Sequence, residues 1–272
     1  MFQNLIIDSG KHPIHVKDFS PDDTGGLSKD DVSKEYRRLQ KRFDELQELL
    51  YASKKYAVLI ILQGMDCSGK DGTVKKAFSG IDPNGFYVEA FKEPTPAELG
   101  HDYLWRVHQK TPAKGDITVF NRSYYEDVLV TRVHGVIDQE TAERRFEEIC
   151  HFEKYLTDNY TVVLKFFLHI SKDFQQKKLQ ARLENPEKNW KFSEADLKER
   201  KFWDRYQECY SDVLSRCSTK AAPWHIVPAD HRWFRDYLVL STIVETLETL
   251  PLAYPPIRGD VQKLIREVKD SQ

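Results

Sequence analysis

Cysteine is scarce in this chain: four residues in 272, at positions 67, 150, 209 and 217, with no CxxC pair among them. That spacing offers neither a zinc motif nor a disulfide framework, and a reducing cytoplasm is the expected setting. Long apolar runs are also missing. The longest, around 57–62, is far too short to span a bilayer. Nothing at the N-terminus combines a basic start with an apolar core, so no signal peptide is expected. Neither sign of charge dominates, the formal net charge being −2. A global basic field for nucleic acid is therefore absent, and any polyanion must be met by local clusters. There is no internal repeat and no low-complexity segment.

What remains is 40% hydrophobic and 31% charged, enough to bury a sizeable core and stay in solution. Length suits one large α/β domain. Residues 1–27, with Pro13, Pro21, Gly25 and Gly26, read as an irregular arm. Ser28 to Ser53 is helical, with Tyr36, Leu39, Phe43, Leu46 and Leu50 at steps of three or four. Ser28 with Asp31 suggests a capping box. Residues 1–54 thus form an N-terminal helical arm.

Tyr56–Leu62 is then a continuous apolar run of strand length, as expected for a strand covered on both faces. Similar runs recur at Tyr87–Phe91, Ile117–Phe120, Val162–Leu168 and Trp224–Val227. Helical stretches separate them, at Thr73–Ser79, Asp102–Gln109, Gln139–Leu156, Ser193–Leu214 and Trp233–Leu247. The alternation predicts a three-layer α/β/α fold with a parallel sheet of about five strands. One stretch is unusual: 172–205 carries seven lysines and three arginines, with Trp190, Phe192, Phe202 and Trp203 interleaved. Its place inside the fold suits a mobile basic lid over an anionic substrate. The single domain expected over 1–272 carries this lid as an insertion. The tryptophans are better read as core or contact residues than as base-stacking platforms.

Directly after the first strand comes Gly64-Met-Asp-Cys-Ser-Gly69-Lys70. This is GxxxxGK between a buried strand and a helix, the context that gives the pattern meaning. Gly64, Ser68, Gly69 and Gly72 let backbone N–H groups approach phosphate oxygens, the helix adds its positive end, and Lys70 supplies a mobile charge. Asp71 stands where the common motif has a Ser or Thr whose hydroxyl binds Mg²⁺. Asp66, inside the loop, would repel phosphate unless a metal or proton intervened. Metal binding is therefore expected to have moved from hydroxyl to carboxylate. Cys67 is a small residue that fits the loop.

The third strand runs into Asn121-Arg122-Ser123-Tyr-Tyr-Glu126-Asp127. An acidic residue near such a strand end holds Mg²⁺ beside phosphates. Arg122 can grip phosphate bidentately, and Arg132 follows about three turns later if the segment is one helix. The plainer reading is a helix start, with Ser123 capping and Glu126 completing the box.

These two motifs, with Asn185-Pro-Glu-Lys188-Asn-Trp190-Lys191-Phe192, resemble the polyphosphate kinase 2 family from about Ser28 to about Leu250. The resemblance implies a P-loop core with a helical lid, dependence on Mg²⁺ or Mn²⁺, and reversible phosphoryl transfer from inorganic polyphosphate to nucleotides. It implies Asp66 and Asp127 as metal and catalytic carboxylates, and Lys70, Arg122 and Arg182 as phosphate clamps. Asp71 and Arg132 fall with the phosphate- and nucleotide-binding set, and Lys188 and Lys191 would face the polyanion. Asn121 with Glu126 resembles the class III subgroup, which phosphorylates AMP as well as ADP; members restricted to ADP tend to have Asp in place of Asn121. Adenine nucleotides are the implied partners, with guanine nucleotides open as well, in a homodimer or homotetramer that binds neither nucleic acid nor membrane.

No side chain is placed as a covalent nucleophile, and His101, His108, His134 and His151 read as packed or surface residues. The rivals are an ATP-dependent nucleoside monophosphate kinase, against which Asp71 speaks, and a polyphosphate:ADP-only phosphotransferase. A non-catalytic nucleotide sensor fits poorly with carboxylates in both motifs.

Overall fold

The computed structural model describes residues 5–7 and 13–271. After a 3-10 turn at Val16–Asp18, helix α1 (Lys29–Ser53) begins at a capping box. The Asp31 amide donates to Ser28 Oγ at 3.4 Å, and the Ser28 amide to Asp31 Oδ2 at 2.7 Å. Leu39, Phe43, Leu46 and Leu50 form its buried stripe. Next come β1 (Ala57–Gln63), α2 (Lys70–Ala77), β2 (Phe86–Ala90), α3 (Pro96–Leu99), α4 (Trp105–His108) and β3 (Ile117–Asn121). A 3-10 turn at Tyr124–Asp127 leads into α5 (Val130–Val133), α6 (Gln139–Asp158) and β4 (Thr161–His169). The chain continues through α7 (Lys172–Glu184), a 3-10 turn at Pro186–Lys191, α8 (Glu194–Arg200) and α9 (Trp203–Arg216). It ends with β5 (Trp224–Pro228), α10 (Arg232–Glu248) and α11 (Val261–Asp270).

The sheet is all parallel in the order β2-β3-β1-β4-β5, as expected of the five apolar runs. Every residue of β1 and β5 is buried, whereas edge strand β2 exposes half its residues or more. Because all strands run the same way, their carboxyl ends share one edge. Order reverses at β1, whose neighbours are β3 and β4, and ligands of open α/β sheets bind at such a switch point.

Three sequence expectations change. The arm is less irregular than its composition suggests, since the Ile7 amide donates to Trp224 O at 2.9 Å and Ile6 bridges His225, extending the sheet past β5. The helix expected over 193–214 divides into α8 and α9 around Lys201–Phe202. The amphipathic α11, beyond the last expected helix, is exposed along its whole length. Among the tryptophans, Trp203 and Trp224 are buried and Trp190 is exposed.

Candidate active site

A cleft of about 610 Å³ opens at the carboxyl edge of the sheet. Its floor is the loop between β1 and α2. Gly69 holds φ +96°, and a Cβ there would overlap the Arg235 guanidinium. Left-handed backbone and lack of space together fix glycine at this position. Lys70 is buried and donates to the carbonyls of Gly64 at 2.7 Å and Met65 at 3.3 Å. Burial, reinforced by Arg122, pushes its ammonium below the ordinary lysine range.

The β1–β3 register sets Leu62 beside Asn121, which brings the second motif against the loop. Asn121 Nδ2 donates to Asp71 Oδ1 at 2.5 Å. Arg122, held at φ +64°, donates to Asp66 Oδ1 at 2.8 Å and lies 3.8 Å from Glu126. Strain of that kind persists only where the surroundings over-determine it. Ser123 Oγ accepts from the Tyr125 amide as expected of a cap, but the helix it starts is a single 3-10 turn. Glu126 closes no capping box; its carboxylate faces Arg122, and burial raises its pKa against the pull of Arg122 and Lys70.

Behind this turn sits a wholly buried polar network. Tyr124 and Tyr125 hydroxyls donate to Glu153 Oε1 on α6 at 2.8 and 2.7 Å. Lys165 on β4 pairs with Glu153 at 2.6 Å, and both side chains have no exposed surface. Lys165 also donates to Tyr125 Oη at 3.0 Å and Cys217 O at 2.5 Å. Every strong group in the network has a partner, the condition under which buried charge is tolerable.

The remaining walls come from 90–93, from α7 and the 3-10 turn after it, and from the start of α10. Lys92, Lys178, Lys188, Lys191 and Arg232 all line the cleft, and none joins an ion pair among the described residues. Lys178 is pushed below the usual lysine range by burial and by the neighbouring cations Arg232 and Lys188. Arg235 is 3% exposed, grips Asp236 at 2.7 Å and donates to Ser68 O at 3.2 Å, underpinning the phosphate loop. Gln175 ties α7 to the same loop by donating to Asp66 O at 3.0 Å, and Arg200 on α8 holds Gln175 in turn at 2.8 Å.

The expected residues therefore fall into groups. Asp66, Gly69, Lys70, Asp71, Gly72, Asn121, Arg122, Arg182, Lys188 and Lys191 converge on the cleft. Arg182 is already engaged, by Asp196 at 3.0 Å and Lys191 O at 3.0 Å. Gly64 and Ser68 belong to the loop but lie outside the cleft wall. Arg132 needs correcting. The segment is no continuous helix, so the guanidinium turns to Asp212 on α9 at 2.6 Å and packs over Phe146, clear of the cleft. Asp127 also lies outside the wall. Its Oδ2 is buried without a partner, and burial raises its pKa to about 6, against the pull of Arg106 and Arg145.

Arg232 and Arg235 escaped sequence reasoning. One signal was present: cations at the start of a helix oppose its dipole, so two in the first turn of α10 call for an anion or a buried acid in compensation.

The model of the family described as polyphosphate kinase 2 matches residues 26–252. The chain belongs to the polyphosphate kinase 2 family. An AMP/ADP-polyphosphate phosphotransferase of Meiothermus ruber is 48% identical over 93% of this chain and 96% of its own length. An ADP-polyphosphate phosphotransferase of Rhodopseudomonas palustris is 44% identical over 92% and 88%. The crystal structure of polyphosphate kinase 2 from Arthrobacter aurescens TC1 superposes with a TM-score of 0.94 at 40% identity, covering 99% of this chain and 96% of that one. The family resemblance, the P-loop fold and the parallel sheet read from sequence are thereby borne out. The cleft of this polyphosphate kinase 2 member is where its loop, its second motif and its basic helices meet.

A divalent cation can be tested against this donor set. Mg²⁺ takes one or two carboxylates and completes its shell with water and substrate phosphates. Asp66, at the cleft wall with Glu126 close behind Arg122, meets that requirement. Asp127 does not share the wall with Asp66, and no cluster of three or more acidic, His or Cys ligands occurs among the described residues.

Proposed function

We propose that this protein is a polyphosphate-dependent nucleotide kinase that phosphorylates AMP to ADP and ADP to ATP, reversibly and with Mg²⁺ or Mn²⁺. One observation carries the reading: five cations with no ion pair among the described residues face a P-loop cleft in a chain of net charge −2. A nucleoside triphosphate donor is served by the loop, Lys70 and Arg122. The row that continues through Lys178, Lys188, Lys191 and Arg232 suits a longer phosphate chain.

Phosphoryl transfer needs positioning and charge neutralisation rather than a covalent intermediate. Lys70 and Arg122 neutralise charge on the transferring group. Asp66 would hold the metal, which would supply further charge neutralisation. Closure of the basic segment over about 172–205, led by Lys178, excludes water that otherwise hydrolyses the donor. Asn121, whose amide donates to Asp71 at the cleft wall, supports AMP as acceptor through its likeness to the AMP-phosphorylating subgroup. A homodimer or homotetramer working in the cytoplasm completes the reading.

The test incubates the purified protein with Mg²⁺, polyphosphate and either AMP or ADP and resolves the nucleotides by chromatography. AMP passing to ADP and then ATP supports the whole reading. Consumption of ADP alone removes the acceptor argument from Asn121, and activity with ATP but not polyphosphate removes the donor.

A further inference from the structure

Away from the cleft, two thiols face each other between α6 and the end of α9. Cys150 Sγ donates to Arg216 O at 3.6 Å, and Cys217 Sγ donates to Phe146 O at 3.9 Å, one turn before Cys150. Each thiol thus reaches the main chain beside the other cysteine, and the crossed bonds set the two residues side by side. Their surroundings differ. Cys217 has no exposed surface, while Cys150 is half-buried and opens onto a surface hollow of about 510 Å³ beside His151 and Arg216. The neighbouring Cys217 thiol draws the Cys150 thiol below the usual thiol range, and Cys150 together with burial pushes Cys217 well above it. The accessible member is thus the better nucleophile and the buried one a reserve.

Cys217 is also part of the network that supports the second motif. Its carbonyl accepts from Lys165 Nζ, and Lys165 holds Glu153 and Tyr125 next to Glu126. A shift of the Cys217 backbone is therefore felt at the turn that carries Glu126, the carboxylate beside Arg122.

We propose that Cys150 and Cys217 form a reversible dithiol–disulfide site that takes a peroxide as oxidant and lowers kinase turnover when oxidised. The Cys150 thiolate attacks one peroxide oxygen, the O–O bond breaks, and the departing oxygen leaves as water with the Cys150 proton. The resulting sulfenic acid is attacked by Cys217 sulfur. The S–S bond forms and a second water leaves with the Cys217 proton. Two thiols lose two electrons in all, and the peroxide gains them. A dithiol reductant reverses the change through a mixed disulfide. Cytoplasmic disulfides, where they occur, are transient and redox-sensing.

The experiment treats the purified full chain with graded hydrogen peroxide, quenches it, and reads intact mass, tryptic map and turnover. The site predicts a loss of about 2 Da, a cross-link between the peptides Phe146–Lys154 and Cys217–Lys220, and a fall in turnover. Dithiothreitol restores mass and turnover together. Cys150→Ser and Cys217→Ala each prevent the cross-link, and Cys150→Ser, with its melting temperature as the folding control, also prevents the fall in turnover. Oxygen added at Cys150 without a cross-link overturns the dithiol site. A cross-link with unchanged turnover, or a loss that persists in Cys150→Ser, overturns the link to the kinase site. The mass readout needs no substrate, so it stands apart from the polyphosphate reading.

Discussion

The two strand ends that meet in the cleft are held in opposite ways. The loop after β1 is a local device: its glycines, its left-handed turn at Gly69 and the helix beyond it are a short contiguous run of sequence. The turn after β3 is held from a distance. Tyr124 and Tyr125 reach Glu153 on α6, Lys165 on β4 and, through Lys165, the carbonyl of Cys217. The first site is shaped by backbone chemistry that neighbouring residues supply, with Arg235 and Gln175 only bracing its carbonyls from outside. The second depends on four buried polar groups brought together only by folding. Such a network is costly to leave half made, so the second site should fail through stability where the first fails through catalysis.

That contrast can be broken at several points. Lys70→Ala should reduce kcat about 100- to 1,000-fold while leaving the melting temperature close to that of the parent; equal losses in both would erase the distinction. Lys165→Ala should do the reverse first, stranding a buried carboxylate at a cost of about 3–5 kcal/mol in a urea titration. Pairing Lys165→Met with Glu153→Gln should recover part of that loss, since no charge is then left unpartnered. Lys178→Ala combined with Arg232→Ala should raise the KM for polyphosphate about tenfold and flatten its salt dependence, with little change in KM for AMP. A uniform rise in both would move these cations to the nucleotide side.

A smaller effect concerns Asp127, whose carboxyl is raised by burial from 3.8 to about 6. Between those values the folded chain keeps a proton that the unfolded chain has released. The stabilising contribution is therefore full below the lower value and lost as pH rises through the upper one. Asp127→Asn should flatten the pH dependence of unfolding free energy across that window, and an unchanged slope would assign the charge elsewhere. Least of all is expected from Arg132→Ala. Polyphosphate KM should stay within about twofold and stability fall by no more than about 1 kcal/mol for its pair with Asp212.

Much of this was legible before any coordinate. Continuous apolar runs such as Ala57–Leu62 announce a strand buried on both faces, because parallel sheets are covered on both sides. Gly64 to Lys70 announces a phosphate loop because each residue acts through its own backbone or its own charge. Arg132 misled for a related reason. Helical spacing from Arg122 holds only while the helix continues, and here it stops after one 3-10 turn.

By itself, then, the sequence determined the parallel sheet, the phosphate loop and the cationic character of residues 172–205, all properties carried by short contiguous segments. Tertiary structure alone decided that Arg232 and Arg235 face the loop, that Glu153 and Lys165 pair with no exposed surface, and that Cys150 meets Cys217. Those are meetings between residues far apart in the chain. Burial and charge pairing settle such partners, and no local spacing records them.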